Sequence, residues 1–208
     1  MPYPLSVSVE PALADRNRLT TFFRLILAIP HIILVGGIGM GVASRGEHGG
    51  TTLGSESGLL GVAAAFLAVV SWFTIVIAGT HISGIRQFTS FYLRWRVRAL
   101  AYLMLLEDPY PPFGDMPYPA SIEIAEPPAR RRMSVAFRII LAIPHIFVLA
   151  FMLFAWAVTT FVAWFAILFT GSFPQGLYDF GVSVLRWRLR VEAYLLLMVD
   201  EYPPFSLT

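Results

Sequence analysis

The 208-residue sequence predicts a mainly α, integral membrane protein built as a tandem parallel repeat: two transmembrane helices and one amphipathic interfacial helix per copy, with a short β-strand ahead of each. Three observations carry that prediction. LRWRVRALAYLMLLEDPYPPF at residues 93–113 returns as LRWRLRVEAYLLLMVDEYPPF at residues 185–205, 92 positions later. Agreement so dense marks an internal repeat. The composition is 57% hydrophobic and 13% charged, with mean hydropathy +0.69, far from soluble averages. Long apolar runs lie between arginine-rich clusters, the pattern of spans and their flanks.

The copies divide at residues 1–114 and 115–208. Each opens on alternating apolar and polar side chains, YPLSVSV at 3–9 and YPASIEI at 118–124, the period of a half-buried strand. Two such strands in equivalent places satisfy each other's backbone groups by pairing. Residues 22–42 and 136–154 are the first spans, sharing Phe-Arg and Leu-Ala-Ile-Pro-His at an offset of 114. At 1.5 Å per residue, about 20 apolar residues cross a hydrocarbon core of roughly 30 Å. Pro30 and Pro144 remove a backbone donor and are expected to kink or open each helix.

Residues 43–57, rich in Gly, Ser and Thr, read as an exposed, mobile loop. The offset drops from 114 to 92 here, so the first copy carries 22 additional residues. Residues 58–79 and 155–171 are the return spans, the latter joined to the run before it without a polar break, as in a tight hairpin or a re-entrant pair. Next come helices with aromatic stripes: Phe88, Tyr92, Trp95, Ala99, Tyr102 and Leu106, then Phe180, Val184, Trp187, Val191, Tyr194 and Met198. Each ends at an acidic pair and Tyr-Pro-Pro-Phe, where proline forbids continuation.

Four crossings place 14 of the 15 arginines on one side, only Arg45 lying opposite. Short basic segments stay in the cytoplasm, so both termini and both amphipathic helices are placed there with residues 43–57 outside, the copies sharing one orientation. The opening MPYPLSVSVEP lacks the basic and apolar regions of a cleavable signal, and none is expected.

Candidate sites follow from the cations. Arg24 and His31, like Arg138 and His145, stand seven apart on one helix face. One reading is a pair of lipid-phosphate or anion sites, arginine the fixed cation and histidine its titratable partner. The other is that the arginines snorkel while each histidine bonds a carbonyl freed at the kink. Arg94, Trp95, Arg96 and Arg98, with Arg186, Trp187, Arg188 and Arg190, read as interfacial anchors for anionic headgroups. The competing reading docks these helices on the bundle, their arginines paired to Asp108, Asp179, Glu192 or Asp200.

Zero cysteine excludes disulfides and thiolate chemistry, and a formal charge of +2 does not point to nucleic acid. His48 and His81 have no recurring carboxylate at ligand spacing, so neither a metal nor another cofactor is expected. No catalytic motif is present.

LAIPHI at 27–32 and 141–146, WFAILFTG at 164–171, and P-x-GLYDF, VLRW, AYLLL and DEYPPF in the second copy resemble the bacterial membrane family called domain of unknown function 4389. The resemblance covers nearly the whole chain in two copies. The first departs from it at residues 80–90, lacking counterparts of Pro174, Leu177 and Asp179. It implies a multi-pass membrane protein and no catalytic residue set.

The functional expectation is a non-enzymatic multi-pass protein, an accessory or scaffold subunit that binds anionic lipid or a membrane partner through its Arg/Trp helices. The alternative is a small transporter or channel with a route between the copies, lined by Arg24, His31, Arg138 and His145. Four spans are few for that without a homo-oligomer, for which Gly36, Gly37, Gly39 and Gly41 offer close contacts. Partners are thus the bilayer, its anionic headgroups and a second copy or membrane complex, with no nucleic acid.

Overall fold

The computed structural model describes residues 3–39, 57–126 and 132–207. In chain order the elements are β1 (Leu5–Val9), α1 (Arg18–Phe22), α2 (Arg24–Val35), α3 (Gly58–Ala78), α4 (Ser83–Leu103), β2 (Ala120–Ile124), α5 (Arg132–Ala136), α6 (Arg138–Thr170) and α7 (Gln175–Leu195). Asn17 starts α1, its side chain accepting from the Thr20 amide at 3.1 Å. Helices α2 and α6 continue through Pro30 and Pro144. The break expected at the prolines falls instead at Phe23 and Phe137, just ahead of each helix.

The second pair of spans, expected to fold back between residues 154 and 155, is one helix of 33 residues, about 50 Å long. Nothing there could turn the chain: LFAWAV holds no breaker and no polar residue to seat at a surface. The first copy builds the same rod in two pieces. At the repeat offsets α2 corresponds to the start of α6 and α3 to its remainder. Gly58 sits directly on the end of α2, since a Cβ there would lie 2.3 Å from the Gly36 nitrogen and 2.6 Å from the Leu34 carbonyl. Only a residue without a side chain lets α3 start where α2 stops.

Two tryptophans fix the relation of the rods. Trp72 Nε1 donates to the Val135 carbonyl and Trp164 Nε1 to the Thr21 carbonyl, each at 3.0 Å. Val135 and Trp164 lie about 40 Å apart along the second rod, so Thr21 and Trp72 are equally far apart along the first. A hairpin of α2 on α3 would bring them together. Hence α2 and α3 are successive parts of one rod, and the rods run antiparallel. The expected parallel duplication with four crossings is not what the chain adopts. Two helices, α3 and α6, are long and apolar enough to cross a membrane by length and composition; α2, at 12 residues, is not.

Helices α4 and α7 form a middle layer. The first rod packs on α4 and α6 packs on α7, while β2 and β1 cover the opposite sides of α4 and α7. The strands pair antiparallel, Leu5 with Ile124 and Val9 with Ala120, centred on Val7–Ile122. Leu5, Val7, Ala120 and Ile122 point inward; Ser6, Ser8, Ser121 and Glu123 are exposed. Helix α7 approaches α6 at Gly181, where a Cβ would lie 2.7 Å from Nε1 of the buried Trp156.

Candidate functional site

The recurring residues converge into two equivalent knots, one near the start of each rod. In the first, Arg24 donates to Asp108 Oδ1 at 2.7 Å and to the Glu107 carbonyl at 3.0 Å, its guanidinium 4.0 Å from the Tyr102 ring centre. Arg16 shares Asp108 at 3.1 Å. In the second, Arg138 donates to Asp200 Oδ1 and to the Tyr194 carbonyl, both at 2.9 Å, and lies 4.4 Å from the Tyr194 ring. These are charge-assisted bonds in a dry setting, both guanidiniums being buried. Neither arginine snorkels, and neither waits for an external phosphate.

The histidines belong to the same knots. Trp95 Nε1 donates to His31 Nδ1 at 3.1 Å and Trp187 Nε1 to His145 Nδ1 at 3.3 Å. Indole nitrogen can only donate, so each Nδ1 accepts and each imidazole is neutral with its proton on Nε2. The Tyr-Pro-Pro-Phe segments fold back as lids: Phe113 stacks on His31 at 4.7 Å and Phe205 on His145 at 3.8 Å. Trp95 and Trp187 are therefore interior donors, not interfacial anchors.

Each knot also uses residues that sequence reasoning did not single out. Leu105 and Leu197 both take φ 62°, in the left-handed region, closing α4 and α7 and turning the following carboxylates onto the arginines. Bulky residues rarely do this, and leucine in an apolar run gives no warning of it. Beside Asp108, Glu107 is buried, which pushes its carboxyl from the ordinary 4.5 to about 7 against the pull of Arg16.

A third cluster lies between the copies, at the middle of α4 and α7. Arg96 Nε meets Glu192 at 2.6 Å, Tyr92 donates to Glu192 at 2.9 Å, and Arg188 stands 4.0 Å from the same carboxylate, one helical turn away. Burial raises the Glu192 carboxyl, but Arg96 and Arg188 hold it below its usual range. Arg96 also donates to the carbonyls of Val35 and, at 3.1 Å, Gly39; Arg188 donates to those of Gly37 and Gly39. Gly36 ends α2. Gly37 and Gly39 thus offer carbonyls to arginine rather than a helix face, and Gly41 lies outside the described residues.

The other predicted residues are dispersed. Arg94 and Arg98 both bind Asp115 at 2.9 Å. Arg186 donates to the Val7 carbonyl at 3.1 Å and Arg190 lies 5.7 Å from the Tyr3 ring, so both secure β1. Asp179 is exposed. His48, Arg45, Arg130 and Arg131 lie outside the described residues. Docking of α4 and α7 on the bundle fits this geometry better than an interfacial position, but among the described residues only Glu192 of the four expected acids takes their arginines: Asp108 and Asp200 bind Arg24 and Arg138, and Arg94 and Arg98 use Asp115 instead. Among the described residues no group of three or more His, Asp or Glu is placed to hold a metal. A cavity of about 400 Å³ lies between the rods, walled by Phe22 and Leu25 on one side and Phe161 and Trp164 on the other; of the four residues expected to line a route, it meets only Arg24.

A family model described as "Domain of unknown function (DUF4389)" matches residues 57–114 and 132–206, more than half of the chain in two segments. The chain belongs to the DUF4389 family. Its first matched segment starts with α3 and its second spans the unbroken α6, so the DUF4389 match covers the later half of the first rod and all of the second. No curated protein and no solved structure matches the chain.

Proposed function

We propose that this DUF4389 chain is a non-enzymatic membrane-embedded protein, an accessory or scaffold subunit that engages anionic lipid or a membrane partner. The observation that carries the reading is the outer surface of the rods. Ile139, Ile140, Ile143, Phe147, Phe151, Phe154, Phe161 and Phe169 of α6 are all exposed, as are Leu25, Ile29, Ile33, Phe66, Phe73 and Ile77 of the first rod. A soluble monomer does not leave such a surface to water.

The scaffold reading gains support from the knots, whose arginines bind aspartates and whose tryptophans bind histidines; of the four route residues only Arg24 also touches the cavity between the rods. The transporter reading draws less, since Arg24 and His31 belong to one end of the molecule and Arg138 and His145 to the other. For anionic headgroups the better-placed cation is the exposed Arg18, beside Gly171 at one end of the rods. We place the chain in a bacterial inner membrane with both termini cytoplasmic, since a chain that never crosses, like one that crosses and returns, leaves its arginine-rich segments on one side.

Alkaline carbonate washing followed by reconstitution tests the reading. The protein should stay with the bilayer after the wash, associate more strongly with phosphatidylglycerol vesicles than with phosphatidylcholine vesicles, and conduct no ion or solute. Release by carbonate, or a substrate-dependent flux, would defeat it.

A further inference from the structure

Resting on that membrane reading, we infer that the protein lies in the plane of the bilayer, α2, α3 and α6 seated among the acyl chains of one leaflet and the β1–β2 ribbon turned to water. Length is the first argument. Ile139 is 70% and Phe169 77% exposed, 30 residues apart on α6, about 45 Å along the axis. A hydrocarbon core of roughly 30 Å would leave about 15 Å of exposed Phe and Ile in headgroups or water. Fitting that length by tilting needs about 48°, beyond the roughly 0–40° that spanning helices adopt.

The ribbon decides between orientations. Its centre, Val7–Ile122, lies at mid-length: Arg186, near the middle of α7, bonds the Val7 carbonyl, while Tyr3 reaches the Glu201 carbonyl beyond one end of α7 and Tyr178 reaches the Glu10 carbonyl near the other. Upright rods would put the exposed Ser6, Ser8, Ser121 and Glu123 and the outer strand edges at the bilayer midplane. Unpaired backbone and exposed carboxylate there cost several kcal/mol per group. Laid flat, the same molecule is a consistent stack of lipid-facing rods, buried α4 and α7, and wetted ribbon.

Amphipathicity here belongs to the stack rather than to any one helix. No Asp, Glu or Lys occurs in α6, and its Arg138 and His145 are buried. The antiparallel rods then lie at one depth, and both ends of the molecule meet the same aqueous face.

The cysteine-free sequence makes the test direct. Ser83→Cys and Gln175→Cys mark exposed positions at the starts of α4 and α7, at opposite ends of the rods. Ser6→Cys marks the ribbon and Phe151→Cys the mid-rod surface. Each full-length variant is treated with a membrane-impermeant maleimide in right-side-out and inverted vesicles. Ser83, Gln175 and Ser6 positions should label from one face and lose all labelling from the other, while position 151 is protected from both. Labelling of the Ser83 and Gln175 positions from opposite faces overturns the in-plane arrangement and leaves the membrane reading standing. Release by carbonate as a dimer with position 151 protected in solution overturns both, since a second copy would then cover the rods.

Discussion

Asp200→Asn removes a charge and keeps a shape. Arg138 and Asp200 are 2.9 Å apart with side chains 2% and 6% exposed, so water cannot replace the lost carboxylate. Arg138 keeps the Tyr194 carbonyl and ring, which soften the loss without neutralising the cation. Stripping one partner from a buried ion pair costs about 3–5 kcal/mol. For a chain of this size each kcal/mol is worth roughly 2–4 °C, so the midpoint should fall by about 6–20 °C. Thermal unfolding in a mild detergent, followed by tryptophan fluorescence, measures it. The compensating variant Arg138→Met with Asp200→Leu removes both charges and should recover most of the loss, because apolar replacements of buried pairs are often neutral. A midpoint within about 2 °C of the parent for the single variant, or a double variant no better than the single, would refute the claim that these groups are buried and mutually dependent.

Trp187→Phe leaves the His145 acceptor buried without its indole donor and should cost about 1–3 kcal/mol; Trp95→Phe should match it at His31, both read as shifts in the same melting assay. Glu107→Gln tests pH. With the folded carboxyl raised by burial from 4.5 to about 7, against the pull of Arg16, protonation of Glu107 favours the fold; its contribution to stability is fully present below pH 4.5 and is lost as pH rises through 7. The glutamine variant should flatten that decline and melt above the parent at pH 8; an unchanged pH profile would show that Glu107 is not the group responsible. Gly58→Ala forces a Cβ into backbone at φ +67° and should cost more than about 1–3 kcal/mol, while Gly84→Ala and Gly176→Ala, with open space around them, should not lower the midpoint.

Legibility followed how local each signal was. The alternation at residues 3–9 and 118–124 is a property of a few neighbours, and β1 and β2 fall within it. The rods' apolarity was equally plain, but their direction was not. Counting arginines by side assigns a face to each segment. A chain that crosses and returns, and one that never crosses, give the same count. Correspondence with residues 58–79 marks residues 155–171 as a return span, but correspondence between copies does not place a turn, and α6 has none. On α4 the aromatic stripe and the arginine stripe looked like inner and outer faces. In a middle layer both are inner faces, and Arg96 is buried because carbonyls released at the end of α2 come to meet it. The knots were half visible: Arg24 and Asp108 recur as Arg138 and Asp200, but nothing in one sequence says they touch.

The interruption of the first rod and the central cluster explain each other. Glu192 has Leu100 as its counterpart in the first copy, and among the described residues two buried arginines, Arg96 and Arg188, meet that one carboxylate. The break supplies acceptors where the second carboxylate is missing, because α2 ends there and its final carbonyls carry a partial negative charge of roughly half an elementary unit. Val35, Gly37 and Gly39 direct their oxygens at both arginines, which an unbroken helix could not do, since its carbonyls are already bonded along its axis. Restoring continuity to the first rod would therefore withdraw the Val35, Gly37 and Gly39 carbonyls from Arg96 and Arg188 at the level where Leu100 stands in place of a carboxylate, so the two departures from symmetry are physically coupled.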